Sequence, residues 1–198
     1  MSPETAETSY SSQTDEQLAE KCRKQDDQAF QELMNRYVRQ ILNFARQYAK
    51  ASEDAEDITQ DTFFKVWKNI KYYTKGRMFK PWLYAIARNT ALDQIKKKKA
   101  LPFSDLDDKE NDLSFADTVE DHEPLPPQIF ETNFLTGKLS DALEVIHPDH
   151  RAILILHYKE EMTFDEIASI VNKPMNTVKS WHRRALIKLR EELAHHIE

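Results

Sequence analysis

Only two glycines, Gly76 and Gly137, serve a chain of 198 residues. Tight turns that need a left-handed residue lean on glycine, so a many-turned all-β fold is hard to build here, whereas long helices joined by short polar connections need few. Cysteine is scarcer still. The single Cys22 excludes an internal disulfide framework, cannot alone make a metal site and suits a reducing cytoplasm; it reads as a small buried apolar residue. Long apolar runs are also missing. The longest purely aliphatic stretch, Ala152 to Leu156, is far short of the ~20 residues that cross a bilayer, so no membrane insertion is expected. Residues 1–13, rich in Ser, Thr and Glu, read as a disordered tail and not as a signal peptide or anchor. What is present, 40% apolar and 31% charged residues, fits a folded, soluble, all-α chain.

The net charge of -6 conceals segregation along the sequence. Residues 65–99 hold eleven Lys or Arg against the single acid Asp93, and residues 100–135 hold ten acids against the single Lys109. Contact with a polyanion is therefore expected to be local to the basic stretches, with the acidic one repelled.

The most specific signal lies between Thr163 and Arg190. Phe164, Ile167, Ala168 and Val171 form one apolar stripe, and Val178, Trp181, Ala185 and Leu189 form another, each at three-to-four spacing. Between them Asn172-Lys-Pro-Met-Asn176 breaks the helix. Asn172 tolerates a left-handed conformation, Pro174 removes a donor, and Asn176 or Thr177 can cap the next helix. Residues 173–190 carry six Lys or Arg and no acid. This reads as a helix-turn-helix whose second helix presents Asn176, Thr177, Lys179, Ser180, Arg183 and Arg184 to base edges and phosphates. A plain helical hairpin with a solvated basic face is the competing reading.

Upstream, helices are predicted at Asp15 to Lys24, Asp27 to Lys50, Ser52 to about Ile70, and from Pro81 into the Lys96–Lys99 run. Phe30, Leu33, Met34, Tyr37, Ile41, Phe44, Ala45 and Tyr48 repeat at helical spacing as core, and Ser52 is placed to cap the third helix. On that helix Ala55, Ile58, Thr62, Val66 and Ile70 face inward with Phe63 beside them. Asp57, Gln60, Asp61, Phe64 and Lys68 share the opposite face, where an exposed aromatic among carboxylates marks an interaction surface. Residues 100–135, with four prolines and ten acids, read as a flexible linker. The organisation is then a tail at 1–13, a helical bundle at 14–100, an acidic linker at 101–135 and a helix-turn-helix domain at 136–198. In the second domain, helices run from Leu139 to Ile146 and from Asp149 to Tyr158.

A second constellation interleaves Tyr72, Tyr73, Phe79, Trp82 and Tyr84 with Lys75, Arg77, Lys80 and Arg88. Aromatic stacking, worth roughly 1 to 3 kcal/mol per base, combined with phosphate pairing is how single-stranded nucleic acid is held. That gain offsets the few kcal/mol needed to unstack each base. Tyr72 and Tyr73, in a loop beside Gly76, are expected to be exposed; Trp82 reads equally as core or as a DNA contact.

Three motifs in order, Asp54-Ala-Glu-Asp-Ile-Thr-Gln-Asp-Thr-Phe-Phe-Lys-Val-Trp67, Phe79-Lys-Pro-Trp-Leu-Tyr-Ala-Ile-Ala-Arg-Asn-Thr-Ala-Leu-Asp93 and Thr177-Val-Lys-Ser-Trp-His-Arg-Arg-Ala-Leu-Ile-Lys-Leu-Arg190, separated by the acidic linker, resemble a bacterial extracytoplasmic-function (ECF) sigma factor. The resemblance implies two small helical domains, sigma2-like and sigma4-like, that bind core RNA polymerase and promoter DNA without a cofactor or metal. It places Asp57, Gln60, Asp61, Phe64 and Lys68 on polymerase, and Tyr72, Tyr73, Arg77, Trp82, Arg88 and Asn89 at the -10 element, where strands are melted. It places Asn176, Thr177, Lys179, Ser180, Arg183 and Arg184 at the -35 element, and implies an anti-sigma factor as inhibitory partner. A linker of about 36 residues spans roughly 30 to 36 Å with wide fluctuation, so it cannot set the distance between two DNA-reading domains, and polymerase is expected to supply that ruler.

Two other classes compete. A conventional helix-turn-helix regulator would need a sensing or dimerisation domain and gives no reason for the aromatic-cation loop. A nuclease using Glu53, Asp54, Glu56, Asp57 and Asp61 would need a base that the helix face does not supply.

Overall fold

A Thr14 hydroxyl starts the first helix, accepting from Gln17 N while the Gln17 side chain accepts from Thr14 N, a reciprocal cap that satisfies two otherwise orphaned donors. The structure, a computed structural model, describes residues 10–49, 51–99 and 138–195. Within them the helices are α1 (Asp15–Cys22), α2 (Asp27–Ala45), α3 (Ser52–Asn69) running into a 3-10 turn at Ile70–Tyr72, α4 (Phe79–Lys99), α5 (Lys138–Glu144), α6 (Pro148–Tyr158), α7 (Phe164–Val171) and α8 (Met175–His195). No strand occurs among the described residues. The acidic linker and residues 1–9 lie outside them.

Helices α1 to α4 form the first unit. Leu33, Tyr37, Ile41, Phe44 and Ala45 of α2 are buried, as their spacing requires, and α2 packs on α1, α3 and α4. On α3, Ala55, Ile58, Thr62, Phe63 and Val66 point inward. Thr59 and Thr62, buried among apolar side chains, donate their hydroxyls to the carbonyls of Ala55 and Ile58 at 2.7 and 2.6 Å, which avoids unsatisfied polar atoms. Antiparallel α3 and α4 are cross-linked at their surface by Lys65–Asp93 at 3.1 Å and by Lys98–Asp54.

Three local expectations are revised. Ser52 does not cap α3: Ala51 occupies the cap position without a side-chain bond, and Ser52 is the first helical residue. The fourth helix starts at Phe79, two residues before Pro81; proline is tolerated there because first-turn amides have no intrahelical acceptor. Residues 10–13, read as part of the tail, are held to the bundle. Arg36 donates to the carbonyls of Tyr10, Ser11 and Gln13 at 2.9 to 3.0 Å and pairs with Asp15 and Glu32.

In the second unit, Thr163 and Glu166 form a reciprocal cap on α7, and Asn172 closes that helix at φ 53°, the left-handed state Asn tolerates. Helix α8 begins at Met175, with Val178 N bonded to Pro174 O. Asn176 and Thr177 therefore lie inside its first turn and do not cap it. Leu139, Leu143, Ile146, Leu154, Ala185, Leu186 and Leu189 make a core of their own.

The units are not held apart. One continuous buried cluster runs from Leu18, Ile41 and Phe44 through Leu83 and Ala87 to Ile153, Leu156, Ile167, Val171 and Val178. Helix α7 packs along α4. This contact was not legible from periodicity, which sees each stripe but not its partner.

Candidate nucleic-acid interface

The α8 surface is built as the sequence reading expects. With Val178, Ala185 and Leu189 buried against α5, α6 and α7, the residues at the intervening positions face solvent. Asn176, Lys179, Ser180, Arg183 and Arg184 are exposed and Thr177 is half-buried. Positions 176, 179, 180, 183 and 184 follow three-to-four spacing, so they share one face of the helix. Trp181, on the flank, packs against His150 with the rings tilted and their centroids 5.0 Å apart, and it lies under the Lys173 ammonium, 5.6 Å from the ring centroid.

Beneath α8, His182 is packed among His157, Tyr158 and Phe164, with centroids 5.3, 5.6 and 5.1 Å away. Burial first, and the charge of His157 second, push its pKa down from 6.5 to about 4. The neutral form is thus favoured by folding. Its contribution is present above the unfolded value of 6.5 and is lost as pH falls through about 4, on the order of 3 kcal/mol in all. Thermal melts between pH 7 and 4.5 should therefore show a smaller loss of Tm for His182→Gln than for the wild-type chain. Parallel losses would show that His182 is not a source of acid sensitivity.

The α3 face also matches expectation. Asp57, Gln60, Asp61, Phe64 and Lys68 are all exposed, with Phe64 65% accessible. Gln94 Nε2 reaches the Asp61 carboxylate at 3.4 Å.

The aromatic-cation loop departs from expectation at two positions. Tyr72 is 71% exposed under Lys71, 4.9 Å from the ring centroid, and Arg77 and Asn89 are exposed. Tyr73, expected beside it in solvent, is 2% exposed. Its ring packs edge-on to Phe79 and Trp82 at 6.0 and 5.3 Å, and its hydroxyl donates to the Arg77 carbonyl. Tyr73 thus anchors the loop and cannot stack on a base in this state. Trp82, half-buried between Tyr73 and Phe79, is mainly packing. Gly76 sits at φ 89° with open space where a Cβ would be, so the backbone angle alone requires glycine there. Between this loop and α1 lies a cavity of about 690 Å³ lined by Glu16, Glu20, Tyr73, Arg77 and Met78 among others. Glu16 is fixed in its wall by accepting from Phe79 N at 3.2 Å.

Arg88 is the second departure. It is 8% exposed and gives a two-pronged bond to Asp149, Nε to Oδ1 at 2.9 Å and Nη2 to Oδ2 at 2.8 Å, while Tyr48 donates to the same carboxylate at 3.3 Å. Burial works to lower the Arg88 pKa, but hydrogen bonding to Asp149 and its charge outweigh that, and the net shift is upward. A second pair lies along the same contact: Lys80 Nζ meets Glu160 Oε2 at 3.0 Å and the Glu160 carbonyl at 2.9 Å. Arg151 donates to the Gln47 carbonyl across the contact and to the Leu143 carbonyl at 3.2 Å. The sequence reading missed Asp149 and Glu160 as functional candidates. Each sits beside a helix end, where an acid reads as capping or as solvated.

Among the described residues no group of His, Cys, Asp and Glu is placed to hold a metal, and no helix is long and apolar enough to cross a membrane.

Both units resemble regions of known proteins. Residues 33–101 match the model of sigma-70 region 2 and residues 142–191 that of sigma-70 region 4. The ECF RNA polymerase sigma factor SigW of Bacillus subtilis is 29% identical over 86% of this chain and 92% of its own length. The RNA polymerase sigma factor CarQ of Myxococcus xanthus is 30% identical over 83% and 89%. The ECF sigma factor SigE of Mycolicibacterium smegmatis is 29% identical over 85% of this chain, which spans only 63% of SigE. The fold is shared with CnrH, solved in complex with the cytosolic domain of CnrY, at a TM-score of 0.66 and 20% identity over 91% of this chain and 97% of that one. It is shared also with RpoE of Bartonella quintana, solved with the anti-sigma factor NepR, at 0.61 and 24% over 83% and 96%. With both sigma-70 regions matched in order around the intervening acidic stretch, the chain belongs to the ECF family of RNA polymerase sigma factors.

Proposed function

We propose that this sigma factor divides promoter recognition between its two helical units. Helix α8 enters the major groove of the -35 element with Asn176, Thr177, Lys179 and Ser180 toward base edges and Arg183 and Arg184 toward bases or phosphates. Tyr72, Arg77 and Asn89 meet the unpaired -10 strand, with Tyr73 and Trp82 buttressing the loop and its neighbouring cavity available to a flipped base. Arg88 joins them once it is released from Asp149. Asp57, Gln60, Asp61, Phe64 and Lys68 dock on core RNA polymerase. An anti-sigma factor covers the same faces, as NepR and CnrY are named as partners of the two neighbouring structures. The chain acts in the cytoplasm as an initiation factor and catalyses no reaction itself.

The observation that carries this reading is the α3 face, four exposed polar or charged residues around a solvent-facing phenylalanine, at the positions the family resemblance assigns to polymerase. Run-off transcription with core polymerase tests it. Asp61→Lys and Arg184→Ala should each lower initiation at least about fivefold, the first by repelling the docking partner and the second by removing a DNA contact worth about 1 to 3 kcal/mol. Full activity in both variants would overturn the assignment of both surfaces.

A further inference from the structure

The contact between the two units covers one DNA-reading surface and leaves the other open. Arg88 is buried against Asp149 of α6, and Lys80 is bound to Glu160 just after it. The polar face of α8 remains exposed, at Asn176, Lys179, Ser180, Arg183 and Arg184. Helix α7 lies along α4 at the same contact, so the helix carrying Arg88 and Asn89 has a protein neighbour on the side where Arg88 projects.

The chemistry of the contact resembles what it displaces. A carboxylate that accepts two parallel bonds from a guanidinium occupies the place a phosphate would take, since each presents a pair of oxygens to the planar arginine fork. Glu160, itself only 8% exposed, is an anion on an ammonium in the same sense. Tyr48 and Tyr84 complete the wall. Burial, with Asp149 for Tyr48 and with Glu160 for Tyr84, drives both hydroxyl pKa values up, so neither phenol adds a competing negative charge.

We propose that Asp149 and Glu160 form an intramolecular stand-in for the promoter strand, keeping Arg88 and Lys80 occupied until the two units part. The inference rests on the reading of Arg88 as a -10 contact and adds how that contact is regulated. In the closed state the chain engages duplex DNA through α8, while capture of unpaired bases is suppressed. Opening is coupled to strand capture because a phosphate and Asp149 cannot both take the Arg88 fork. The seam holds one largely buried ion pair, Arg88–Asp149, one partly exposed pair, Lys80–Glu160, and apolar packing between α4 and α7, so salt alone should open it less than removal of the two carboxylates does.

The test uses the full chain carrying Asp149→Asn and Glu160→Gln together, with dyes on Lys24→Cys and Glu191→Cys. These two positions are exposed, and the native Cys22 thiol is buried with its pKa pushed up to about 12 by burial and by Asp26, so it should not compete for label. Energy transfer reads the separation of the units, and anisotropy reads binding of a fluorescent random-sequence single-stranded 20-mer and of a random-sequence duplex. The double variant should show reduced transfer, single-strand binding at least tenfold tighter than wild type and duplex binding unchanged. Adding Arg88→Ala to it should abolish the single-strand gain. Arg151→Ala, which frees a bond to Gln47 without touching either carboxylate, should shift both readouts in the same direction and serves if the double variant folds poorly.

Unchanged energy transfer in both variants would overturn the proposal, because the pairs would then not hold the seam. If the units part and Arg88→Ala weakens strand binding in the open chain, yet opening brings no gain over wild type, the stand-in fails while Arg88 remains a DNA contact. If the units part and Arg88→Ala changes nothing, the reading of Arg88 itself fails and the proposal falls with it.

Discussion

Phe64→Ala should weaken association with core RNA polymerase by about 30- to 1000-fold while leaving the chain folded. An aromatic side chain at 65% exposure contributes little to its own unit, so its truncation should move stability by no more than about 0.5 kcal/mol. The same ring, surrounded by Asp57, Gln60, Asp61 and Lys68 on the exposed face of α3, has the anatomy of an interface anchor: an apolar centre with a polar rim. Truncating such anchors removes about 2 to 4 kcal/mol of binding, which is the fold-change given. Titration of labelled chain with core polymerase checks it, alongside a thermal melt. An unchanged Kd would place the docking surface elsewhere.

Phe44→Ala should have the largest effect on stability. Phe44 is 1% exposed near the C-terminal end of α2, and it meets Tyr48 and Tyr84 edge-on at 5.5 and 5.1 Å. Removing a fully buried phenyl leaves a cavity that the surrounding helices close only in part, and about 3 to 5 kcal/mol is lost. For a chain of this size that corresponds to a fall in Tm of roughly 6 to 20 °C. The site also lies under the seam, since Tyr48 reaches Asp149 through its hydroxyl. The variant should therefore lose the contact between the units as well as the bundle, and calorimetry should show both units melting earlier. A Tm within 2 °C of wild type, on the scale of under ~1 kcal/mol, would mean that the core is less continuous than Leu18 through Val178 implies.

The elements most visible in the sequence are those whose signals are local. The stripes of α2, α3, α7 and α8 follow from spacing alone, and the turn after Val171 follows from Asn172 and Pro174, where the left-handed residue and the missing donor appear as foreseen. The exposed α3 face and the polar face of α8 are legible for the same reason, because a helix with one buried side must show the other. Tyr73 was misread because position in a loop argues for exposure, while its burial depends on Phe79 and Trp82 being folded back over it. Arg88 is more instructive, because its burial, and not its proposed role, is what the sequence does not signal. One cation on a basic helix gives no local sign that it will pair with Asp149, 61 positions along the chain. Pairings of that kind are set by how two preformed units meet, and that is a property of the tertiary structure alone.

On the proposals above, core polymerase takes a closed chain and holds its two DNA-reading units open. Energy transfer between dyes on Lys24→Cys and Glu191→Cys, followed as core polymerase is added to the otherwise wild-type chain, tests it directly. Transfer should fall saturably at one chain per core enzyme, and the fall should be absent when the chain also carries Asp61→Lys. Formation of a stoichiometric complex with transfer unchanged would contradict it.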